Sequence, residues 1–473
     1  MNNIDFKKYY SALGTNDTLE RAGRVTKIVG LAVEATGPPS KVGDVCEMYA
    51  LNNERSVRAE IVGFRDGQTL LMPFGNLEGI GLGSYVVYTG KTLRVPVGRE
   101  LVGRILAALG NPFDDLPEPK IEAWYPAENM PPNPLTRDRI SEVLPLGVKA
   151  IDSMLTVGRG QRLGIFSGSG VGKSTLLGMM ARYAVADVNV IVLVGERGRE
   201  VRDFIERDLG EEGLRKSVLV IATSDQPALL RLKCAMTGTA VAEYFRDQGY
   251  KVLLLMDSLT RFAMAQREIG MAAGEPPVSR GFPPSVYAIL PKLLERSGMS
   301  DKGSITGLYT VLVEGDDLNE PISDTVRGIL DGHIVLSRAI ANSNHYPPID
   351  VLGSVSRVMP EIVTKEHLSE FGIIKNMIAV YREAEDLINI GAYKQGANPE
   401  IDKSVRLHNP IQTFLKQDMT ESFTFEETLG MLKGIVDTGE LSVAKGRIAA
   451  GAGNAEVQAR ANVTGTATML PGY

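Results

Sequence analysis

Phe166-Ser-Gly-Ser-Gly-Val-Gly-Lys-Ser-Thr175 is the stretch from which the fold of this chain can be read. Gly168, Gly170 and Gly172 free the backbone to turn its N–H groups inward, and the closing Lys173-Ser174 adds a cation and a hydroxyl, the combination that wraps a polyphosphate. The apolar Leu163–Phe166 before the run reads as a buried strand, and Lys173 to about Ala186, rich in Leu, Met and Ala, as the helix that follows. This order of strand, loop and helix predicts binding of ATP or GTP by Gly168, Ser169, Gly170, Val171, Gly172, Lys173, Ser174 and Thr175. Lys173 is expected at the β- and γ-phosphates and Ser174 on Mg²⁺. The chain departs from the strict GxxxxGK[ST] pattern at Ser167, where the pattern has glycine and a small serine stands instead. An ordinary glycine-rich turn is the alternative, and the flanking strand and helix argue against it.

Working outward, 473 residues with 44% hydrophobic content suffice for two or three domains with large cores. A formal net charge of −6 leaves no basic footprint for a phosphate backbone, so no nucleic-acid partner is expected. Cys46 and Cys234, the only cysteines, are far apart and indicate neither a disulfide framework nor a zinc site, which fits a reducing cytoplasm. Asp5, Lys7 and Lys8 interrupt Met1–Gly14, so it lacks the apolar core of a signal peptide, and no apolar run reaches membrane-spanning length. Membrane association is therefore expected to be peripheral.

The pattern changes along the chain and divides it. Residues 1–22 read as an N-terminal partner-binding segment, within which 1–14 carry Ile4, Phe6, Tyr9, Tyr10 and Leu13 at roughly helical intervals, an amphipathic stretch suited to docking on a partner or on its own domain. Residues 23–94 show short β-branched runs, Val25–Val33, Val57–Phe64, Thr69–Met72 and Tyr85–Tyr88, the signature of a small β-barrel. Residues 95–365 alternate apolar strands (Val188–Val194, Val218–Ala222, Val252–Met256, Ile305–Val313) with helical patterns, an α/β nucleotide domain with a parallel sheet. Beyond about Glu366 strands vanish, and Ile373–Leu387 and Thr424–Val436 read as helices of a C-terminal domain ending near 445. Residues 446–473, rich in Gly, Ala, Asn and Thr, read as a flexible tail.

Other strand ends supply the groups that hydrolysis needs. The apolar strand Lys251-Val-Leu-Leu-Leu-Met-Asp257 ends in a carboxylate suited to the water shell of Mg²⁺, or alternatively to capping the next helix. Val194-Gly-Glu-Arg-Gly-Arg-Glu200 puts Glu196 at a strand end, where it can polarise the attacking water, with Arg197 beside it to contact phosphate or steady Glu196. A solvated ion-pair network is the alternative for this cluster.

Gly195–Glu200, Asp257–Ile269, Arg280–Tyr287 and Gly353-Ser-Val-Ser-Arg357 together resemble the type III secretion ATPases, a likeness that runs through most of residues 23–440. Val29–Pro38 is similar to the flagellar branch; the injectisome branch is the alternative. The resemblance implies that the nucleotide domain is RecA-like and that the chain forms a homohexamer with nucleotide at the subunit interfaces. It assigns Glu196 as catalytic glutamate, Lys173 and Ser174 to phosphate and Mg²⁺, Asp257 as the strand-end aspartate and Arg357 as an arginine finger reaching into the neighbouring site. Tyr346 matches a position that stacks on adenine, with Phe423 or Phe425 as a second wall; core packing is the alternative for Tyr346. Base and finger in one chain make equivalent sites sensible and weigh against a rotary ATP synthase subunit, as does Gly391–Asn398 where such subunits carry an acidic lever. The implied partners are a regulatory stator protein at the N-terminus, export chaperones and substrates, and an export gate at the inner face of the cell membrane. An RNA-translocating helicase would need a basic, aromatic platform that is not evident, and a non-catalytic scaffold would not need Lys173, Glu196, Asp257 and Arg357 together.

Overall fold

A computed structural model describes residues 21–52, 55–313, 315 and 317–441, and the backbone of 447–448. The amphipathic segment expected at 1–14 and nearly all of the tail expected at 446–473 lie outside the described residues. The chain divides into two compact units. One comprises the chain up to Ile140 with Arg159–Ser169 and Ala186–His333; the other comprises Ser141–Gly158, Gly170–Val185 and the chain from Ile334 on.

In the first unit, β1 (Arg21–Val29), β2 (Ala32–Ala35), β3 (Asp44–Tyr49), β4 (Ser56–Arg65), β5 (Gln68–Pro73) and β6 (Tyr85–Thr92) close a barrel in the order β1-β2-β5-β4-β3-β6. Closure removes the exposed strand edges of so small a sheet. Alternate residues point inward, giving a core that includes Val25, Val33, Cys46, Met48, Ile61, Leu71 and Val86. The run expected as one strand, Val25–Val33, is two, because the chain reverses at Gly30-Leu31 and β1 pairs with β2 as a hairpin. β3 escaped the sequence reading because Asp44 and Glu47 interrupt its apolar residues.

Further along come β7 (Arg94–Val97), β8 (Ile105–Ala107), β9 (Ala123–Pro126), β10 (Arg162–Ser167), β11 (Val188–Glu196), β12 (Ser217–Thr223), β13 (Lys251–Asp257), β14 (Gly298–Met299) and β15 (Ser304–Leu312). Within this unit β10-β15-β13-β11-β12-β8 lie side by side, all parallel. Their near-continuous apolar runs are what a sheet covered on both faces requires. The helix Ala228–Asp247 is buried along most of its length and packs on β11, β12 and β13. It also fastens the barrel: Lys233 Nζ lies 2.7 Å from Glu60 Oε1 on β4 and 2.6 Å from Glu128 Oε1. Burial pushes the Glu60 carboxyl up, against the pull of Lys233.

The second unit contains the helix Lys173–Tyr183 that follows the phosphate loop, ending before the expected Ala186 because the backbone is extended at Ala184. Strands β16 (Gly332–Leu336, whose first two residues belong to the first unit) and β17 (Val355–Ser356) are neighbours. Beyond them the expected helices are present as Lys365–Asn389 and Phe425–Thr438. Thr424 and Glu427 form a capping box at the second, with Glu427 N donating to Thr424 Oγ1 at 3.1 Å and Thr424 N donating to Glu427 Oε2 at 2.8 Å. A third helix, Pro399–Leu415, packs against Lys365–Asn389; Pro410 in its interior hides it from a periodicity reading. A two-residue ladder, Glu421–Ser422 with Arg447–Ile448, is the exception to the expected loss of strands. Among the described residues no helix is long and apolar enough to cross a membrane.

Candidate nucleotide site

In the first unit the predicted residues gather at the carboxyl ends of the parallel strands, where ligands bind in open α/β sheets. β10 ends at Ser167 and runs into Gly168-Ser169. β13 ends on Asp257, opposite Leu193 of β11, and β11 continues through Val194 and Gly195 to Glu196. The two carboxylates thus stand on adjacent strands. Pairing of β11 with β12 is regular to Val194, opposite Ala222, then shifts so that Glu196 faces Thr223. The inserted residue is Gly195, at φ +70°, and a β-carbon there would come within 3.3 Å of Arg261 Cβ and 3.5 Å of Arg231 Cδ. The bulge turns Glu196 out of the strand's alternation, and glycine is what allows it.

Asp257 is 4% exposed and accepts a hydrogen bond from Thr310 Oγ1 at 2.7 Å. Thr310, on neighbouring β15, was missed in the sequence; its only signal is a hydroxyl inside the apolar run Leu308–Leu312. The helix Leu259–Ala273 is capped by Ser258, whose Oγ accepts from Arg261 N at 3.3 Å, so the capping role considered for Asp257 falls to its neighbour. Arg197 projects outward with its side chain 73% exposed and pairs with Glu200 at 2.8 Å.

In the second unit, Gly170 (φ +76°) and Gly172 (φ +96°) both take the left-handed conformation that shapes the loop. Gly172 is the N-cap of the helix Lys173–Tyr183 and offers no side-chain cap, so the first N–H groups of that helix point to whatever occupies the loop. Lys173, Ser174 and Thr175 form its half-buried first turn. A β-carbon on Gly172 would lie 3.5 Å from the Tyr346 ring, so the loop and this tyrosine are immediate neighbours. Tyr346 is 46% exposed, which disposes of core packing as its role. One face of Phe423 is covered by Lys149 Nζ, 4.5 Å from the ring centre, and Phe425 meets His367 edge-on at 6.0 Å.

Arg357 is exposed directly after β17. The serines of Ser354-Val-Ser-Arg357 face inward and hold the segment: Ser354 Oγ donates to Asp350 O at 2.6 Å and accepts from Val335 N at 2.9 Å, and Ser356 Oγ donates to Thr156 O at 2.8 Å. That alternation leaves Arg357 on the outside.

These residues suit a nucleotide and Mg²⁺. A β-carbon at Gly170 would meet no atom within 4 Å, and the buried Ser167 hydroxyl has no hydrogen-bond partner, so open space and an unmet donor border the loop. The Ser174 hydroxyl and the Asp257 carboxylate are hard oxygen donors of the kind Mg²⁺ takes, alone or through water.

Three stretches match known protein families: residues 25–90 the ATP synthase alpha/beta family, beta-barrel domain; residues 147–356 the nucleotide-binding domain of the same family; and residues 363–434 the T3SS EscN ATPase C-terminal domain. Over 425 residues the chain is 54% identical to the flagellum-specific ATP synthase of Bacillus subtilis (strain 168), covering 90% of this chain and 97% of that one. It is 50% identical over 417 residues to the type 3 secretion system ATPase of Xanthomonas euvesicatoria, covering 88% and 94%. The structure of the assembled ATPase EscN from the enteropathogenic E. coli type III secretion system is similar at 45% identity and a TM-score of 0.83, over 88% of this chain and 100% of that one. With its phosphate loop, its strand-end carboxylates and relatives matched over nearly their whole length, this chain belongs to the family of flagellum-specific and type III secretion ATPases.

Proposed function

We propose that this chain hydrolyses ATP at sites completed between neighbouring copies of a homohexamer, and that the hydrolysis energises protein export through a flagellar type III secretion apparatus. One observation carries the reading: the same chain holds Glu196 at a strand end and presents Arg357 on an exposed edge. Each copy then supplies a base to one interface and a finger to the next.

In this reading the backbone of Gly168–Gly172 and the helix N-terminus bind the phosphates, while Lys173 neutralises the β- and γ-oxygens. Ser174 and, through water, Asp257 would hold Mg²⁺, which supplies charge neutralisation where the β–γ bond breaks. Glu196 orients the attacking water and accepts its proton. Arg357 of the adjacent copy neutralises charge developing on the γ-phosphate, a contribution of about 10³–10⁵ in rate where such fingers act. Tyr346 stacks on adenine, and Arg197, tethered to Glu200, stands ready to contact phosphate.

The flagellar assignment is supported by 54% identity to a flagellum-specific relative against 50% to the injectisome-type relative. EscN has been solved in complex with its central stalk EscO, and a comparable axial partner is proposed here. We divide the chain at 23–94, 95–365 and 366–445, a division supported by three separate family matches over 25–90, 147–356 and 363–434, the second of which begins well inside its segment. We assign residues 1–22 to a stator protein, the C-terminal helices to chaperones and substrates, and the ring to the cytoplasmic face of the membrane beside the export gate; the net charge of −6 supports no nucleic-acid partner.

The test is Mg²⁺-dependent ATPase rate against protein concentration for wild type, Glu196→Gln, Arg357→Ala and an equimolar mixture of the two variants. Wild-type specific activity that rises with concentration, two inactive variants and a mixture that recovers activity are expected. Concentration-independent turnover with a fully active Arg357→Ala would sink the shared site.

A further inference from the structure

Gln417 lies in the loop between helices Pro399–Leu415 and Phe425–Thr438 and is 5% exposed. Its side-chain amide is engaged at both ends: Oε1 accepts Lys149 N–H at 2.8 Å, and Nε2 donates to the carbonyls of Gly147 at 2.8 Å and Glu421 at 2.9 Å. One acceptor and two donors meet one donor and two acceptors, so the amide has a single fitting orientation. Its backbone N–H donates to the carbonyl of Tyr346 at 3.0 Å. Gln417 therefore joins the start of the helix Lys149–Met154, its own loop and the tyrosine that flanks the phosphate loop.

We infer that Gln417 is the positioning residue of Tyr346, holding that ring beside Gly172 and so setting affinity for the purine without entering the chemistry. The inference rests on reading Tyr346 as the adenine-stacking side chain. A half-exposed ring is not immobilised by packing, so its place depends on how its backbone is anchored. Downstream, Ile349 N donates to Pro347 O, Ser337 N to Pro348 O and Asp350 N to Val335 O; the Gln417 N–H anchors the tyrosine's own carbonyl. The loop that carries this N–H is held in turn by the side-chain amide. Deleting the amide strands the Lys149 N–H and two carbonyls in the interior, and the loop relaxes to satisfy them. Tyr346 then loses a fixed position, while Glu196, Lys173 and Asp257 keep theirs.

The test is steady-state ATPase of wild type, Gln417→Met, Tyr346→Ala and the double variant, with inhibition constants for ADP and for pyrophosphate, which lacks the base. For Gln417→Met, KM for ATP and the inhibition constant for ADP are expected to rise about ten-fold, with kcat within about two-fold and pyrophosphate unchanged. The double variant should be no weaker than Tyr346→Ala, since both changes remove one interaction. Gln417→Asn, a milder change that keeps an amide, should give an intermediate KM and serves if Gln417→Met does not fold. If Tyr346→Ala weakens ATP and ADP while both Gln417 variants bind them normally, or if pyrophosphate weakens equally, the positioning role is overturned and the reading of Tyr346 stands. If Tyr346→Ala itself leaves both constants unchanged, the adenine reading fails and the inference fails with it.

Discussion

Replacing Gly195 with alanine puts a methyl group on the bulge that aims Glu196, the glutamate proposed above as the base. The backbone there sits at φ +70°, where an L-residue with a β-carbon costs roughly 1–2 kcal/mol. The new carbon would lie 3.3 Å from Arg261 Cβ, which must give by a few tenths of an ångström, and in ordinary van der Waals contact with Arg231 Cδ at 3.5 Å. The cheapest relief is to flatten the bulge, which returns Val194-Gly195-Glu196 to strand alternation and rotates the Glu196 carboxylate away from its present direction. A displacement of about 1 Å at a reacting group costs on the order of 100-fold in rate. We therefore expect Gly195→Ala to lower kcat by roughly 10- to 100-fold, with KM for ATP nearly unchanged because the phosphate loop and Tyr346 are untouched. Stability should fall by only ~1–2 kcal/mol, read as a modest drop in the thermal midpoint. Gly198→Ala is the control: no atom lies within 4 Å of a β-carbon there, and its φ is not positive. It should turn over like wild type. A Gly195→Ala protein that melts lower yet hydrolyses ATP at the wild-type rate would refute the argument that the bulge aims Glu196.

Other consequences follow from the same geometry. Thr310→Val removes the hydroxyl that donates to Asp257 at 2.7 Å in a nearly isosteric way; the Mg²⁺ concentration for half-maximal ATPase should rise, and an unshifted titration would make Thr310 a packing residue only. Lys233→Met leaves Glu60 buried without its cation and should destabilise the protein by about 3–5 kcal/mol in denaturant melts; a loss under ~1 kcal/mol would show that water reaches Glu60. The Arg104 guanidinium, with Nε at 3.1 and 2.9 Å from the two Asp114 oxygens, holds that carboxyl below the usual carboxylate range. A depressed folded-state value means that its stabilisation is complete above about pH 4 and lost as pH falls further, so Asp114→Asn should flatten the acid-unfolding curve there without changing its neutral plateau relative to more alkaline pH.

The parts of the site that were legible in the sequence are those whose chemistry is contiguous. A phosphate loop binds with successive backbone N–H groups, so its glycines, lysine and serine must follow one another, and Gly168–Thr175 announces itself. Asp257 and Glu196 were legible because each terminates an apolar run, and a carboxylate at the end of a buried strand is conspicuous. Thr310 and Gln417 carried no such mark. Each acts on a residue remote in the chain, Thr310 on Asp257 and Gln417 on Tyr346, Gly147 and Lys149, through bonds with no sequence period. The same limit hid the helix Pro399–Leu415, where Pro410 breaks the apolar rhythm and burial against Lys365–Asn389 restores the helix.

By itself, then, the sequence determined the α/β class, the barrel ahead of it, the nucleotide loop and the two strand-end carboxylates, because hydrophobic periodicity and local backbone freedom are encoded residue by residue. Only the tertiary structure decided that Gly195 is a bulge, that Ser258 rather than Asp257 caps the next helix, that the two serines before Arg357 face inward, and that Tyr346 stands against Gly172 with Gln417 behind it. Those outcomes depend on which distant segments meet once the cores are buried. A polar group in the interior must find its partner wherever the fold brings one within about 3 Å, and that choice has no signature along the chain.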